Sequence, residues 1–447
     1  MIFPFRDDGP LEHDGPLPER VDLVVIGGGV IGTCTALYAV RAGLSVLVLE
    51  KGRVAAEQSS RNWGWIRVQG RDMAEIPIAL EAQTLWQDLD ADCGGDLGVK
   101  TVGVGYLAKT DKELASFADW LGQAKPLGVS SELLDAEGTR AMLGHSSGDW
   151  TGMLHTPTDM KAEPWVAVPR LARLAVEAGA SVREHCAVRG LDTVGGNVAG
   201  VVTEKGRVAC DKVVLAGGAW SSLFLRRHGV AIPQLSVRST AMATERLPQA
   251  VSTAAVDDQL AFRPRADGGY TLAPSAFSEL FIGPDSFRAL KTYLPLAVSG
   301  EFDIRLRALA PKGYPDAWGT PRRWRDDEVS PFEQMRILSP EPNAAKVAQT
   351  RDAFARHFPQ MGEVPLAASW AGMIDVLPDV VPVVDHVEAL PGLTVATGMC
   401  GHGFGIGPGF GRVLADMVQG RDPGHDMTRF RLGRFSDGSK LVTGPNL

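Results

Sequence analysis

The feature that most constrains the fold is a glycine motif between two short apolar runs near the N-terminus. Residues 23–26 (LVVI) form an uninterrupted apolar run, which is typical of a strand buried on both faces. The pattern G-x-G-x-x-G follows at 27–32, then a helix-compatible stretch, a second apolar run at 45–49 and the acidic residue Glu50. Strand, glycine turn, helix, strand and acid in this order predict a dinucleotide-binding βαβ unit.

Each glycine of the motif has its own physical role. The first permits the tight turn, the second lets a pyrophosphate approach the backbone, and the third lets the helix pack closely on the strand. The helix N-terminus offers free N–H groups and a partial positive charge to the pyrophosphate, and the acid accepts hydrogen bonds from the adenosine ribose. We therefore expect the adenosine end of a dinucleotide to lie on Gly27, Gly29, Val30, Ile31, Gly32, Glu50 and Lys51.

The composition excludes several other classes of protein. With 447 residues, 45% hydrophobic and 22% charged, the chain suits two interleaved globular domains. A net charge of -8 gives no reason to expect nucleic acid as a partner, and no apolar run is long enough to span a bilayer. Five cysteines without CxxC spacing indicate reduced thiols. We expect a cytoplasmic protein with no metal site, in which residues 1–20 form a loose leader.

The secondary-structure patterns divide the chain into two discontinuous domains. Alternating strand and helix patterns occur at 21–75, 160–230 and 366–435, and residues 76–159 and 231–365 are richer in alternating strands. After the second strand, residues 57–67 form a polar and aromatic loop where an NAD enzyme would continue with further βα units. We predict an α/β fold in which a Rossmann-type FAD-binding domain is interleaved with an antiparallel-sheet α+β substrate domain.

Five segments together resemble the FAD-dependent D-amino-acid oxidase superfamily, on the side of the glycine and sarcosine oxidases. Besides the glycine motif they are 59–67 (SSRNWGWIR), 213–221 (VVLAGGAWS), 370–385 (WAGMIDVLPDVVPVVD) and 398–418 (GMCGHGFGIGPGFGRVLADMV). The resemblance covers roughly residues 22–420 and depends on the order and spacing of all the segments. It implies a bound FAD and further contacts with it at Ser59, Ser60, Arg61, Asn62, Gly64, Val188, Gly217, Gly218, Trp220, Gly372, Gly401, His402, Gly403, Phe404 and Gly405.

The resemblance also bears on how FAD is attached. In some relatives a cysteine just beyond the Trp-Ala-Gly segment binds the flavin covalently. No cysteine occurs between Gly372 and Asp385, and Cys400 lies elsewhere in the pattern. We therefore expect non-covalent FAD.

The candidate catalytic residues are Arg67, Arg71, Tyr270 and His402. The resemblance places Arg67 beside the flavin ring, where a positive charge stabilises the anionic reduced flavin. For His402 we consider both proton chemistry and a role limited to shaping the turn. Tyr270 either orients the substrate or is an ordinary tyrosine of the sheet.

The sequence lacks the cations with which close relatives bind a substrate carboxylate. Their places are taken by the Met-Ile pair at 373–374 and by Gly405. If the substrate carries a carboxylate, its anchor is Arg71, Arg263 or Arg265, with Arg71 favoured because its loop already contacts the flavin.

Together these features predict an oxidoreductase that acts on the C–N bond of a small secondary amine or N-substituted amino acid, of the sarcosine or iminodiacetate kind. The substrate hydride passes to the flavin, the imine hydrolyses, and O2 or another acceptor reoxidises the flavin. Two alternatives stay open, namely a D-amino-acid or 2-hydroxy-acid dehydrogenase and a non-catalytic FAD-binding subunit of a heteromeric oxidase. The oligomeric state also stays open.

Overall fold

The computed structural model describes residues 9–144, 146–299 and 304–445. The strands are β1 (Leu23–Ile26), β2 (Val46–Leu49), β3 (Trp65–Ile66), β4 (Lys100–Thr101), β5 (Val104–Ala108), β6 (Glu132–Asp135), β7 (Gly152–Thr156), β8 (Met160–Lys161), β9 (Ser181–Arg183), β10 (Val188–Val194), β11 (Asn197–Thr203), β12 (Gly206–Ala209), β13 (Lys212–Leu215), β14 (Leu235–Thr244), β15 (Ala254–Val256), β16 (Ala261–Pro264), β17 (Tyr270–Ala273), β18 (Ser278–Phe281), β19 (Ile304–Arg307), β20 (Leu366–Val376), β21 (Val383–His386) and β22 (Leu393–Thr397). The helices are α1 (Val30–Arg41), α2 (Gln58–Arg61), α3 (Glu75–Asp92), α4 (Asp111–Ala124), α5 (Ala136–Leu143), α6 (Pro164–Glu177), α7 (Ser221–Arg227), α8 (Pro284–Arg288), α9 (Leu290–Ser299), α10 (Pro331–Gln334), α11 (Ala344–His357) and α12 (Gly403–Met417).

The N-terminal βαβ unit belongs to a six-stranded sheet in the order β21-β22-β13-β1-β2-β9. All neighbours pair in parallel except β21 and β22. Alternate side chains of its central strands enter different cores, because Val25 and Val48 pack with α1 and α12 whereas Val24, Leu47 and Leu49 pack on the opposite face. Burial on both faces explains the uninterrupted apolar runs and confirms the predicted Rossmann-type domain.

The second large sheet has ten strands in the order β19-β18-β14-β17-β16-β15-β5-β7-β6, with β20 paired to β14. It is mainly antiparallel, although β15 with β5 and β18 with β19 pair in parallel. Residues 366–376, which we assigned to the FAD-binding domain, belong to this sheet because β20 pairs with β14 along its whole length. The mixed architecture confirms the predicted fold class.

A small three-stranded sheet has the order β3-β8-β4. Trp65 and Ile66 of β3 pair with β8, and the loop 67–74 then leads into α3. This loop carries both candidate arginines, Arg67 and Arg71. Another three-stranded sheet, β10-β11-β12, completes the strand arrangement.

The described part of the expected leader, residues 9–20, is held against the FAD-binding domain. The Glu184 carboxylate accepts the backbone N–H groups of Glu12 and His13 at 2.9 and 3.2 Å. The Arg53 guanidinium donates to the carbonyls of residues 9 and 10. These contacts differ from the loose leader that we expected; residues 1–8 lie outside the described residues. Within the described ranges, no helix has the length and apolarity required to cross a membrane.

Candidate active site

A cavity of about 360 Å³ begins at the carboxyl ends of the parallel strands and extends to the ten-stranded sheet. Ile26, Leu49 and Leu215, the last residues of β1, β2 and β13, line one end. Thr240 of β14 and Gly372 of β20 line another part of the wall. Ligands of open α/β sheets bind outside the carboxyl ends of the strands, so the cavity has the expected position for a dinucleotide.

The three glycines of the motif have the geometry that their roles require. Gly27 has a φ of +112°, and a Cβ there would overlap the carbonyl oxygen of Ala216. A Cβ on Gly29 would lie 3.0 Å from Ser59 Oγ, inside the space beside the helix N-terminus. A Cβ on Gly32 would overlap the carbonyl oxygen of Gly27, so Gly32 permits close packing and does not line the cavity.

The N-terminus of α1 faces the same cavity. Gly29 is its N-cap, the first turn contains no acidic residue, and Val30 N–H donates to Ser59 Oγ at 2.9 Å. Gly29, Val30 and Ile31 all line the cavity. The partial positive charge of this helix end, without a competing carboxylate in the first turn, fits the pyrophosphate of FAD.

Glu50 follows β2 and lines the cavity. Its Oε2 accepts the N–H of Gly28 and its Oε1 accepts the N–H of Gly52, both at 2.8 Å. Burial raises the pKa of Glu50. Each carboxylate oxygen keeps a further lone pair for a ribose hydroxyl. Beside it, Lys51 Nζ pairs with Glu57 at 2.6 Å and lies 4.4 Å from the centre of the Trp220 ring.

Most of the cofactor contacts implied by the sequence meet in the cavity. The implied contacts that line it are Gly27, Gly29, Val30, Ile31, Glu50, Lys51, Ser59, Arg61, Asn62, Val188, Gly217, Gly218, Trp220, Gly372, Gly401, His402, Gly403 and Phe404.

Three implied contacts from the later segments lie behind the cavity wall, where they shape it. Ser60 Oγ donates to the carbonyl of Glu57 at 3.2 Å. Gly64 has a φ of +78° and donates its N–H to Asn62 Oδ1 at 2.7 Å. Gly405 accepts a hydrogen bond from a tryptophan of α3 at 2.9 Å. None of the three lines the cavity among the residues that the structure describes.

Arg71 presents a buried cation to the cavity. Its exposed fraction is 2%, and neither Nε nor Nη1 has a hydrogen-bond partner among the described residues. Trp120 Nε1 donates to the carbonyl of Arg71 at 3.0 Å, which fixes the backbone of the loop. Burial, with a smaller contribution from Arg67, lowers the pKa of Arg71 to about 9. The guanidinium is therefore still charged at pH 7, and two of its donors have no hydrogen-bond partner in the described chain.

Arg67 lines the cavity four residues before Arg71. It donates to the carbonyl of Gln69, and its guanidinium carbon lies 5.3 Å from the centre of the Tyr106 ring. Asp159 stabilises the loop, because its Oδ1 accepts the N–H of Val68 at 2.8 Å. Two cations on one loop give this part of the cavity a positive potential.

His402 and Glu75 form a buried pair at the cavity wall. His402 Nδ1 lies 3.1 Å from Glu75 Oε1, and the Glu75 side chain is completely buried. Burial and the charge of Arg71 lower the pKa of His402 to about 4, so the imidazole is neutral at pH 7. Burial raises the pKa of Glu75, but the contacts with His402 and Arg71 outweigh it and keep the carboxyl ionised.

The structure does not bring Tyr270, Arg263 or Arg265 to this cavity. Tyr270 is fully buried against Phe354, with ring centres 5.1 Å apart. Arg263 donates to both carboxylate oxygens of Glu163 at 2.9 and 3.1 Å, and Arg265 pairs with an aspartate two residues on. The side chains of all three residues are occupied by contacts outside the cavity, so they are not available to a ligand there.

Some residues of the site were not singled out from the sequence. Glu75 and Asp159 are ionisable groups that interact electrostatically with Arg71 and Arg67, respectively. Burial raises the pKa of Asp159 to about 7. Ser275 Oγ is buried and without a hydrogen-bond partner in the described chain, and Ser275 lines the cavity. No local motif identifies these residues, because distant segments bring them to the site.

Cys400 is the only one of the five cysteines to line the described cavity. Its Sγ donates to the carbonyl of Gly398 at 3.0 Å, and burial raises its pKa well above the ordinary value, which keeps it a thiol. Asp375 also lines the cavity, and its Oδ2 accepts the N–H of Gly398 at 2.6 Å. Across the described residues, no group of three His, Cys, Asp or Glu residues could hold a metal ion.

The model of the FAD dependent oxidoreductase family matches residues 22–417, so the chain belongs to that family. This confirms the resemblance predicted from the five segments, the use of FAD and the assignment as an enzyme. The buried helix N-terminus, the glycine cradle and Glu50 described above fit the cofactor.

Individual relatives match the chain to different extents. The structure of the L-amino acid deaminase from Proteus myxofaciens in complex with anthranilate is 31% identical, with a TM-score of 0.90 and 95% of each chain covered. Glycine oxidase from Pseudomonas aeruginosa is 26% identical over 419 residues, which are 91% of this chain and 96% of that protein. Mitochondrial sarcosine dehydrogenase from Mus musculus is 29% identical over 240 residues, 52% of this chain and 26% of that enzyme. The chain thus spans about a quarter of that dehydrogenase.

Proposed function

We propose that this protein oxidises the C–N bond of an amino acid or N-substituted amino acid with non-covalently bound FAD, and that Arg71 holds the substrate carboxylate. The observation that carries the proposal is the buried guanidinium of Arg71, which lines the cavity with Nε and Nη1 unpartnered among the described residues. A desolvated cation is costly unless an anion pairs with it. A carboxylate matches the fork of a guanidinium and offsets that cost.

In this proposal the adenosine half of FAD lies on Gly27, Gly29 and Glu50, and the flavin ring lies towards Arg67 and His402. The bound FAD supplies the hydride acceptor for the α-carbon of the substrate. Arg67 stabilises negative charge on the reduced ring, and Arg71 orients the substrate through its carboxylate. The cysteine-free segment 373–385 supports non-covalent attachment.

Different relatives support two kinds of amino acid as the substrate. N-methylated substrates are supported by the likeness to sarcosine dehydrogenase, as the sequence first suggested. Primary L-amino acids are supported by the likeness to the L-amino acid deaminase over 95% of both chains. Both kinds carry the carboxylate that Arg71 requires, so we propose the carboxylate as the common determinant of binding.

The test is an anaerobic screen of the yellow holoenzyme. Sarcosine, iminodiacetate, primary L- and D-amino acids, 2-hydroxy acids and the corresponding simple amines are added in turn, and bleaching of the flavin is recorded. We expect carboxylated amines to bleach the flavin and their decarboxylated counterparts to fail. Bleaching by 2-hydroxy acids alone would support the hydroxy-acid alternative, and no bleaching by any compound would support the non-catalytic subunit. Admission of air then distinguishes an oxidase from a dehydrogenase.

A further inference from the structure

The pair formed by Glu75 and His402 joins two elements at the cavity wall. Glu75 is the first residue of α3, and His402 is the N-cap of α12. Glu75 Oε1 lies 3.1 Å from His402 Nδ1, while its Oε2 lies 3.4 Å from the backbone N–H of Asp72. The carboxylate therefore contacts both the histidine and the backbone of the loop that carries the two arginines.

The charge state of this pair determines which ring nitrogen carries the proton. An ionised carboxylate only accepts hydrogen bonds, so the Nδ1 of His402 must be the donor. Since the imidazole is neutral at pH 7, its second nitrogen, Nε2, then carries a lone pair. No hydrogen bond joins Nε2 to another residue of the described chain, and His402 lines the cavity.

We propose that His402 Nε2 accepts a proton from the amino group of the bound substrate, and that Glu75 is the positioning residue that fixes the tautomer required. The inference rests on the proposed function, because it assumes an amino acid in the cavity. An N–H bond of the substrate ammonium breaks, its electron pair stays on nitrogen, and the proton bonds to Nε2. No electron is transferred in this step, which prepares the neutral amine for hydride loss from carbon.

Binding of the carboxylate would make this histidine more basic. The charged groups that act on His402 are Arg71 and Arg67, which disfavour the imidazolium, and Glu75, which favours it. A carboxylate paired with Arg71 offsets the largest of the repulsive charges. The pKa of His402 should therefore rise when an anion binds, so that the acceptor becomes effective only with a substrate in place.

The tautomer can be measured in the holoenzyme without any reaction. Nitrogen-15 NMR of the histidine-labelled protein distinguishes a protonated Nδ1 from a protonated Nε2, and the His402→Gln variant identifies the signal. We expect Nδ1–H with an unprotonated Nε2 at pH 7, and a rise in the His402 pKa on saturation with acetate. An Nε2–H tautomer, or a pKa that acetate leaves unchanged, would overturn the inference even if amino acids bleach the flavin.

Kinetics supply a second, independent readout. Glu75→Gln and His402→Gln should each lower kcat/KM at pH 7 by about 100-fold or more, the usual contribution of a general base. The loss should shrink as the pH rises towards the pKa of the substrate amine, because less proton transfer is then needed. A loss that is the same at every pH would contradict proton acceptance by His402.

Glu81→Gln is the matched control. Glu81 lies on the same helix, also pairs with a histidine, His425, and does not line the cavity. We expect its pH profile to equal that of the wild type. A Glu75→Gln profile equal to that of Glu81→Gln would overturn the role of Glu75. Failure of every amino acid to bleach the wild-type flavin would instead refute the proposed function, whatever tautomer the spectra report.

Discussion

Replacing Arg71 by methionine tests how the substrate is held. The substitution keeps most of the length of the side chain and removes the charge and both unpartnered donors. Truncating one partner of a buried, hydrogen-bonded charge pair costs about 2–5 kcal/mol. At tenfold per 1.4 kcal/mol, the Kd of a carboxylate ligand should rise about 30- to 4,000-fold. The upper part of this range is expected, because only 2% of the Arg71 side chain is exposed and solvent screens the pair weakly.

The assay is titration of the oxidised holoenzyme with acetate, followed by the change in the flavin spectrum, and kcat/KM for an amino acid and its decarboxylated amine. Arg265→Met is the matched control, since Arg265 pairs with Asp267 outside the cavity. Equal losses for the acid and the amine, or a loss of FAD from Arg71→Met, would show that Arg71 supports the flavin or the fold and would refute its role as carboxylate anchor.

Four further predictions follow from the site. Gly29→Ala places a methyl group where the pyrophosphate must touch the backbone, so the variant should purify colourless; full flavin occupancy would contradict this placement. Acid precipitation should release all the flavin, and colour that stays with the pellet would mean covalent attachment. Arg67→Met should lower the flavin reduction potential and slow flavin reduction about ten- to a hundredfold, from a loss of about 1.5–3 kcal/mol; an unchanged potential would place Arg67 away from the ring. Tyr270→Phe should leave kcat and KM unchanged, since Tyr270 packs in the core. A large rise in KM would mean that Tyr270 contacts the substrate.

The glycine turn and the acid that we propose for the adenosine end of FAD could be identified in the sequence because these residues are local. Gly27, Gly29, Gly32 and Glu50 lie within one βαβ unit, and the handedness and spacing of that unit leave little freedom. The glycine geometry and the apolar strands therefore agree with the expectation in detail. The same reasoning identified the α/β fold class, since continuous and alternating apolar runs indicate different sheets.

The substrate end could not be predicted in the same way. Glu75 meets His402 only because α3 packs against α12, a contact between distant segments. Alternation along a strand does not say which face meets a cavity, so Tyr270 and Arg263 were candidates until the sheet packing placed both of them in contacts elsewhere. The pairing of residues 366–376 could not be predicted for a related reason. Residues of β20 do line the cavity, yet their backbone pairs with β14.

The most direct test of the account is anaerobic reduction of the holoenzyme by an amino acid, compared between the wild type and Arg71→Met. The account predicts that the amino acid bleaches the wild-type flavin with saturable kinetics, and that Arg71→Met needs a far higher concentration for the same rate. The decarboxylated amine should react poorly and equally with both proteins. If the amine bleaches the wild-type flavin as readily as the amino acid does, the carboxylate is not the determinant of binding and the central claim is wrong.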